Sequence, residues 1–229
     1  RRMNALKRAY APECLPVLQN LLDSHDVARV ASMFENVRKP IEDFAEYFES
    51  SRIRHRPEFR TGKPGPEAMA ALRQAIVYQM CSLGAPMLYY GTEVGMWGAN
   101  DPCDRQPMLW DDEWYDDERH SVDGLAARRT RAPDHELRAF VKQAIALRHA
   151  HAALRRGTLH WINTGHDRVL AFERRLGGER IRAYFNVSDA DVTLPLKQTP
   201  RDLWVGGGSR VRGGVCIVKK GWAVFALGR

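Results

Sequence analysis

The residues best suited to chemistry fall in two short stretches. The first is Asn20-Leu21-Leu22-Asp23-Ser24-His25-Asp26-Val27-Ala28-Arg29, an apolar run ending in a histidine, carboxylates and an arginine. Such a constellation suits a polyhydroxylated ligand, because a carboxylate accepts hydrogen bonds from hydroxyls while His and Arg donate them. A lone His-Asp pair is otherwise an ordinary turn at the end of a strand. The second stretch runs from Leu83-Gly84-Ala85-Pro86 through Tyr90-Gly91-Thr92-Glu93-Val94-Gly95 to Gly98-Ala99-Asn100-Asp101-Pro102-Cys103-Asp104-Arg105-Gln106-Pro107-Met108-Leu109-Trp110. It belongs to a longer irregular segment, 91–132, rich in Gly, Asp and Trp. Segments of that length inside a compact domain are usually functional or disordered.

Regular elements must carry these stretches. Residues 3–19 read as a helix broken near Pro12 and Pro16, Gln19–Leu22 as a short strand, and Arg29–Val37 as a helix. Residues 50–66, basic and rich in Pro and Gly, read as a loop. The spacing of Met69, Leu72, Ile76, Met80 and Leu83 predicts an amphipathic helix over 67–83. Pro66 suits its first turn and Gly84 its stop. The run Pro86–Gly91 then reads as a buried strand, so helix and strand together make an α/β unit. Residues 133–151 form a second amphipathic helix with Leu137, Val141, Ala144 and Leu147 inward and Asp134 at its positive end.

Beyond Gly157 the pattern changes to short β runs at 169–172, 181–185, 192–196, 203–205, 215–218 and 222–227. Gly177-Gly178 marks a hairpin between the first two. Period-two runs with Gly and Asp punctuation predict a small all-β domain, with a boundary near residue 152 and no internal repeat.

Composition narrows the function classes. At 229 residues, 44% hydrophobic and 28% charged, the chain reads as an ordinary globular protein. A formal charge of +7 and a pI near 9.4 raise an anionic partner. The basic residues are dispersed in pairs such as Arg128-Arg129, Arg155-Arg156 and Arg174-Arg175, however, with Asp111-Asp112-Glu113 among the acidic stretches between them. No zinc-finger, RNP or basic-zipper pattern is present, so no nucleic-acid partner is expected. Cys14, Cys81, Cys103 and Cys216 form no CxxC or His/Cys pattern, which implies a reduced, cytoplasmic setting. The histidines have no ligand-like spacing, so no metal is assigned, and no cofactor is expected. No apolar run approaches the roughly 18 residues of a membrane span. The opening Arg1-Arg2-Met3 reads as the interior of a helix rather than a natural start.

Three ordered segments, "NLLDSHD" with its downstream Arg, "GAPMLYYGTEVGM" and "GANDPCDRQPMLW", resemble the α-amylase family of glycoside hydrolases, above all its neopullulanase, cyclomaltodextrinase and maltogenic amylase branch. A fourth, "ALRHAHAALRRG", resembles the lead into that family's C-terminal β-domain. Several ordered motifs carry a weight that no one of them has alone. The resemblance implies α/β plus all-β architecture. Residues 1–152 would be the C-terminal part of a (β/α)8 TIM barrel, about strands seven and eight with flanking helices, and residues 153–229 a small antiparallel β-sandwich. It implies a retaining hydrolase of α-1,4-glucosidic bonds in maltodextrins, starch or cyclodextrins. A glucan transferase or trehalose-synthase-like enzyme, or a non-catalytic sugar-binding remnant, are the alternatives.

Carried over residue by residue, the resemblance makes Asp26 the catalytic carboxylate ending the seventh strand, bonded to the 2- and 3-hydroxyls of the cleaved sugar. His25 would contact the same sugar, and Asp101 and Arg105 would grip the glucose on its non-reducing side. Catalytic groups in such barrels gather on the loops after the strands. Glu93 is expected to be structural and Arg29 to order its loop. Tyr89 and Tyr90 are open between sugar stacking and core packing. Trp97 and Trp114 are possible sugar platforms, and Trp110 is expected to pack in the loop.

The nucleophile and the acid/base of a retaining glycosidase flank the bond about 5–5.5 Å apart. In this family both precede the seventh strand, and no matching segment lies before Asn20. The chain alone is therefore expected to be inactive and to need the missing N-terminal half of the barrel, because open strand edges favour aggregation. The β-domain is expected to fold independently, and the parent is a possible homodimer.

Overall fold

The computed structural model describes residues 5, 8–36, 44–53, 58–115, 131–196, 200–211, 214–217 and 219–227. Arg1–Met3, Val37, Arg128-Arg129, Val218 and residues 116–130 of the long irregular segment lie outside the described residues. The chain divides into two compact units. One comprises Arg1–Asn20, Gln74–Met87 and Gln143–Arg229, the other Leu21–Arg73 and Leu88–Lys142.

The strands and α-helices before the β-rich segment are strand β1 (Gln19–Leu21), helices α1 (Val30–Asn36), α2 (Phe44–Ser50) and α3 (Pro66–Cys81), strand β2 (Ala85–Met87), and helices α4 (His135–Ala150) and α5 (Ala152–Arg156). Within the described part of residues 3–19, a 3₁₀ turn at Pro12–Cys14 begins at the expected break. Helix α3 buries Leu72, Ile76, Val77 and Met80 as its apolar spacing requires. It stops two residues earlier than expected, at Cys81, and Leu83 is only half-buried. Gly84, at φ +94°, turns the chain into β2, and a Cβ there would stand 2.5 Å from the Leu18 carbonyl oxygen.

Helix α4 begins at His135 rather than 133. Asp134 precedes it as the N-cap, its Oδ1 accepting from the N–H of Leu137 at 2.8 Å. Leu137, Val141 and Ala144 are buried, but the next position facing inward holds Arg148 rather than Leu147.

The first unit contains the β-rich segment. A five-stranded antiparallel sheet has the order β3 (Thr158–Trp161), β4 (Val169–Leu176), β5 (Glu179–Asn186), β10 (Trp222–Leu227), β7 (Pro200–Gly206). A three-stranded sheet has the order β6 (Val192–Pro195), β9 (Gly214–Ile217), β8 (Arg210–Val211). Val169, Ala171, Tyr184 and Phe225 from the large sheet share one core with Val192, Leu194, Val215 and Ile217 from the small one. The other face of the large sheet is also covered. Tyr78 of α3 meets Phe172 and Phe185 edge-on, at ring separations of 5.9 and 5.5 Å. Covering on both faces explains why all six residues of β10 are buried, where alternation was expected. Gly177 (φ +55°) and Gly178 make the two-residue turn between β4 and β5. Strands β3 and β8, only four and two residues long, were not expected from the sequence.

Polar side chains satisfy the helix and strand ends of this unit. Buried Gln79 donates to the Asn20 and Met87 carbonyls at 2.7 and 2.9 Å, joining β1 and β2, while Asn20 donates to the Gln79 and Leu83 carbonyls. The last carbonyls of α3 have no partner within the helix. Arg148 donates to the Met80, Ser82 and Gly84 oxygens, and Arg174 to those of Cys81, Ser82 and Gly157. Gln74 donates to the carbonyls of Asn186 and Gly221 at 2.8 and 2.9 Å.

Strand β2 departs from the expected buried strand. It covers only Ala85–Met87, with Ala85 exposed and the other two half-buried. Among the described residues its sheet has just two strands, which leaves each with an unpaired side.

Candidate functional site

The site lies in the second unit, where the chain leaving β1 meets the segment after β2. Asp23 anchors the first of these loops. It is buried, and its Oδ2 accepts from the N–H of Val30, the first residue of α1, at 3.1 Å and from the Thr92 hydroxyl at 2.9 Å. Burial raises its pKa, opposed by those two hydrogen bonds and by Arg29. With Asp23 fixed inside, the next turn projects outward: the Asp26 N–H donates to Ser24 Oγ at 3.2 Å, and the His25 and Asp26 side chains are 60% and 61% exposed.

Arg29 is fully buried. Its Nη1 donates to the Tyr90 carbonyl at 2.6 Å, and its guanidinium stands 4.8 Å from the ring centres of both Tyr89 and Tyr90. It orders the loop, as expected. Burial pushes the Tyr89 hydroxyl up to about 12, with Tyr90 adding to the effect. Tyr90, partly exposed, donates its hydroxyl to the Gln106 carbonyl at 2.6 Å.

The second loop is bracketed onto the first through Gly98. Its carbonyl accepts from the Arg29 N–H at 3.1 Å and its N–H donates to Ser32 Oγ at 2.9 Å. A Cβ at Gly98 would lie 2.2 Å from the Cys103 carbonyl oxygen, so the loop's tight return requires glycine. Asn100 ties the loop to the end of α2, its amide donating to the Phe48 carbonyl and its backbone N–H to that of Ser51.

All four expected site residues come together. Asp26 Oδ1 lies 3.3 Å from His25 Nε2 and 3.9 Å from an Arg105 Nη, and Arg105 Nε lies 2.9 Å from Asp101 Oδ1. They form one continuous, solvent-facing line: His25, Asp26, Arg105, Asp101. Beneath it sits Asp104, fully buried, both carboxylate oxygens without a hydrogen-bond partner. Burial raises its pKa and Asp101 adds to this, while Arg105 and Arg29 oppose. Neither Asp23 nor Asp104 was singled out from the sequence as an anchor. Their signal, a carboxylate a few residues from a functional one, does not separate a buried anchor from a ligand-facing group.

The aromatic expectations divide. Trp97 is buried, which removes it as a sugar platform, and Trp110 is 56% exposed instead of packed into the loop. Trp114 is exposed at 82%. Glu93 is half-buried, with Oε2 enclosed by protein, in keeping with a structural role. Among the described residues no group of three or more His, Cys, Asp or Glu is placed to hold a metal ion. No described helix is long and apolar enough to cross a membrane.

No family model matches the chain. Individual proteins do. Neopullulanase 2 of Thermoactinomyces vulgaris is 30% identical over 189 residues, covering 82% of this chain and 24% of the relative. An intracellular maltogenic amylase of Bacillus subtilis is 27% identical over 199 residues, covering 86% and 24%. Among solved structures, a cyclomaltodextrinase superposes with a TM-score of 0.59 at 25% identity, over 97% of this chain and 32% of that one. The chain thus spans about a quarter of the length of the curated relatives it matches. Sequence and fold agree: the chain is a relative of the neopullulanases, cyclomaltodextrinases and maltogenic amylases of the α-amylase family.

Proposed function

We propose that this chain is the C-terminal portion of a retaining glycoside hydrolase acting on α-1,4-glucosidic bonds of maltodextrins, starch or cyclodextrins. Residues 1–152 then complete a (β/α)8 barrel and residues 153–229 form its β-sandwich. The observation that carries the reading is the line His25–Asp26–Arg105–Asp101, four side chains from two separate loops within ion-pair reach of their neighbours and open to solvent.

The chemistry follows from what each group accepts or donates. Asp26 binds the 2- and 3-hydroxyls of the sugar being cleaved. Those bonds strengthen as the ring flattens toward an oxocarbenium ion, so they lower the barrier instead of merely binding substrate. His25 donates to the same sugar. The Arg105–Asp101 pair offers a fork of donors beside a carboxylate, matching the alternating hydroxyls of the neighbouring glucose on the non-reducing side. The nucleophile and general acid come from the barrel half that precedes these residues. A reduced, cytoplasmic setting fits the word "intracellular" in the name of the Bacillus subtilis relative.

The test compares turnover of maltotriose and β-cyclodextrin by this chain and by one extended upstream through the rest of the barrel. Activity of the extended chain alone, lost by orders of magnitude in Asp26→Asn, is the expected result. Activity of the short chain, or an Asp26→Asn enzyme within a few-fold of the original, would refute it.

A further inference from the structure

The positive charge of the protein is concentrated in one part of the sequence. Residues 153–229 hold 14 Lys and Arg against 6 Asp and Glu, whereas residues 1–152 hold 21 against 22. The whole excess therefore belongs to the β-rich segment, and part of it converges on one spot.

On β4 and β5, Glu173 lies opposite Arg182 and Arg175 opposite Arg180. These four residues occupy neighbouring positions of one sheet face, the face that carries Val169, Ala171 and Tyr184 into the core. The Glu173 side chain is 2% exposed and accepts from Nε of Arg175, from Nε and an Nη of Arg180 at 3.0 and 3.2 Å, and from Nε of Arg182 at 2.7 Å. Burial by itself would raise its pKa, but the hydrogen bonds from Arg180, Arg182 and Arg175 prevail and bring it down to about 2.

One carboxylate neutralises one guanidinium, so among the described residues the cluster keeps two uncompensated positive charges. Like charges directly across a sheet are destabilising, and the Arg175–Arg180 pair is such a case. Stability alone would favour one arginine or two here. The cluster also has unused donors. Three guanidiniums carry about fifteen N–H groups, and Arg175 and Arg182 each present only Nε to Glu173. The Arg175 and Arg180 side chains remain 49% and 37% exposed, held from behind by a buried carboxylate.

From this geometry we infer a binding site for a phosphate group, free or carried by a sugar, at Arg175, Arg180 and Arg182, with Glu173 as the positioning residue behind it. Planar guanidinium forks bind tetrahedral oxyanions in bidentate fashion, and a dianion matches the two free charges.

Isothermal titration of the full chain with inorganic phosphate and with glucose 6-phosphate, at matched ionic strength, tests the site. Saturable binding that weakens at least five-fold in Arg175→Ala and tightens in Glu173→Gln is expected, since removing the carboxylate adds one free positive charge. Binding of inorganic phosphate equal to that of the sugar phosphate identifies the free ion as sufficient. Preference for the sugar phosphate extends the site to the sugar. Arg175 makes its one bond through Nε from an exposed position, so its alanine variant keeps the rest of the cluster and decides the matter if Glu173→Gln unfolds. No saturable binding, or binding unchanged in Arg175→Ala, would overturn the inference.

Discussion

Arg174→Met offers the sharpest check on how the first unit is held together. Arg174 is 1% exposed and donates to three backbone carbonyls, those of Cys81 and Ser82 at the end of α3 and that of Gly157 before β3. Methionine fills much of the same volume but donates nothing. The Ser82 oxygen keeps its bond from Arg148, so two buried carbonyls, Cys81 and Gly157, lose this donor. Each costs about 1–3 kcal/mol when left unpaired. Against this stands the relief of no longer burying a cation, since burial and the like charge of Arg148 lower the Arg174 pKa to about 10. The balance is a destabilisation of about 3 kcal/mol, read as a fall in the urea midpoint of the unfolding transition followed by tryptophan fluorescence. Arg174→Lys, which keeps the charge but not the fork, falls between the two. A loss below about 1 kcal/mol for Arg174→Met would refute the reasoning, because it would mean that water serves these carbonyls equally well.

Three further outcomes follow from the same structure. Asp23→Asn keeps an acceptor for the Val30 N–H and the Thr92 hydroxyl and removes a buried charge, so its stability stays within about 1 kcal/mol of the original, whereas Asp23→Ala loses about 2 kcal/mol; equal chemical-denaturation midpoints for the two would contradict this. The Glu173 pKa is depressed in the fold, so its stabilisation is complete above the unfolded carboxylate pKa near 4.5 and is lost as pH falls toward about 2. Unfolding free energies of the original chain and Glu173→Gln should therefore converge across that window, from a gap on the order of 2 kcal/mol once the solvent around Arg175 and Arg180 is allowed for; a constant gap counts against the cluster. Burial pushes the Cys81 thiol up to about 12, while Cys14 is exposed, so brief alkylation of the native chain followed by mass spectrometry should label Cys14 and spare Cys81.

The sequence was most informative where periodicity or motif order is strong. The apolar spacing of α3 and the Gly177-Gly178 hairpin are visible because each reflects a local rule, and the family resemblance of the ordered motifs singles out His25, Asp26, Asp101 and Arg105 as candidates without saying how they meet. What escaped depends on distant partners. Nothing in the spacing of Leu137, Val141, Ala144 and Leu147 says that Arg148 will take the next inward position, because its acceptors lie 64 to 68 residues away. The extra length of β7 and the short β8 are set by pairing with β10 and β9 rather than by their own residues. Asp104 is harder still. A carboxylate in a loop between Cys103 and Arg105 reads as solvent-facing, and only the packing of the loop places it inside.

The amide of Gln74 has a consequence for how such proteins can be cut and recombined. It serves the carbonyls of Asn186 and Gly221, and one turn further along α3 Tyr78 covers Phe172 and Phe185. A polypeptide severed at residue 152 would carry away the sheets and leave that lid behind, baring two aromatic rings and two orphaned carbonyls on one side. The heritable module is therefore larger than the β-domain drawn from strand periodicity. A recombinant chimera that borrows residues 153–229 should also borrow the second half of α3, or redesign the aromatic face it would otherwise leave open to aggregation.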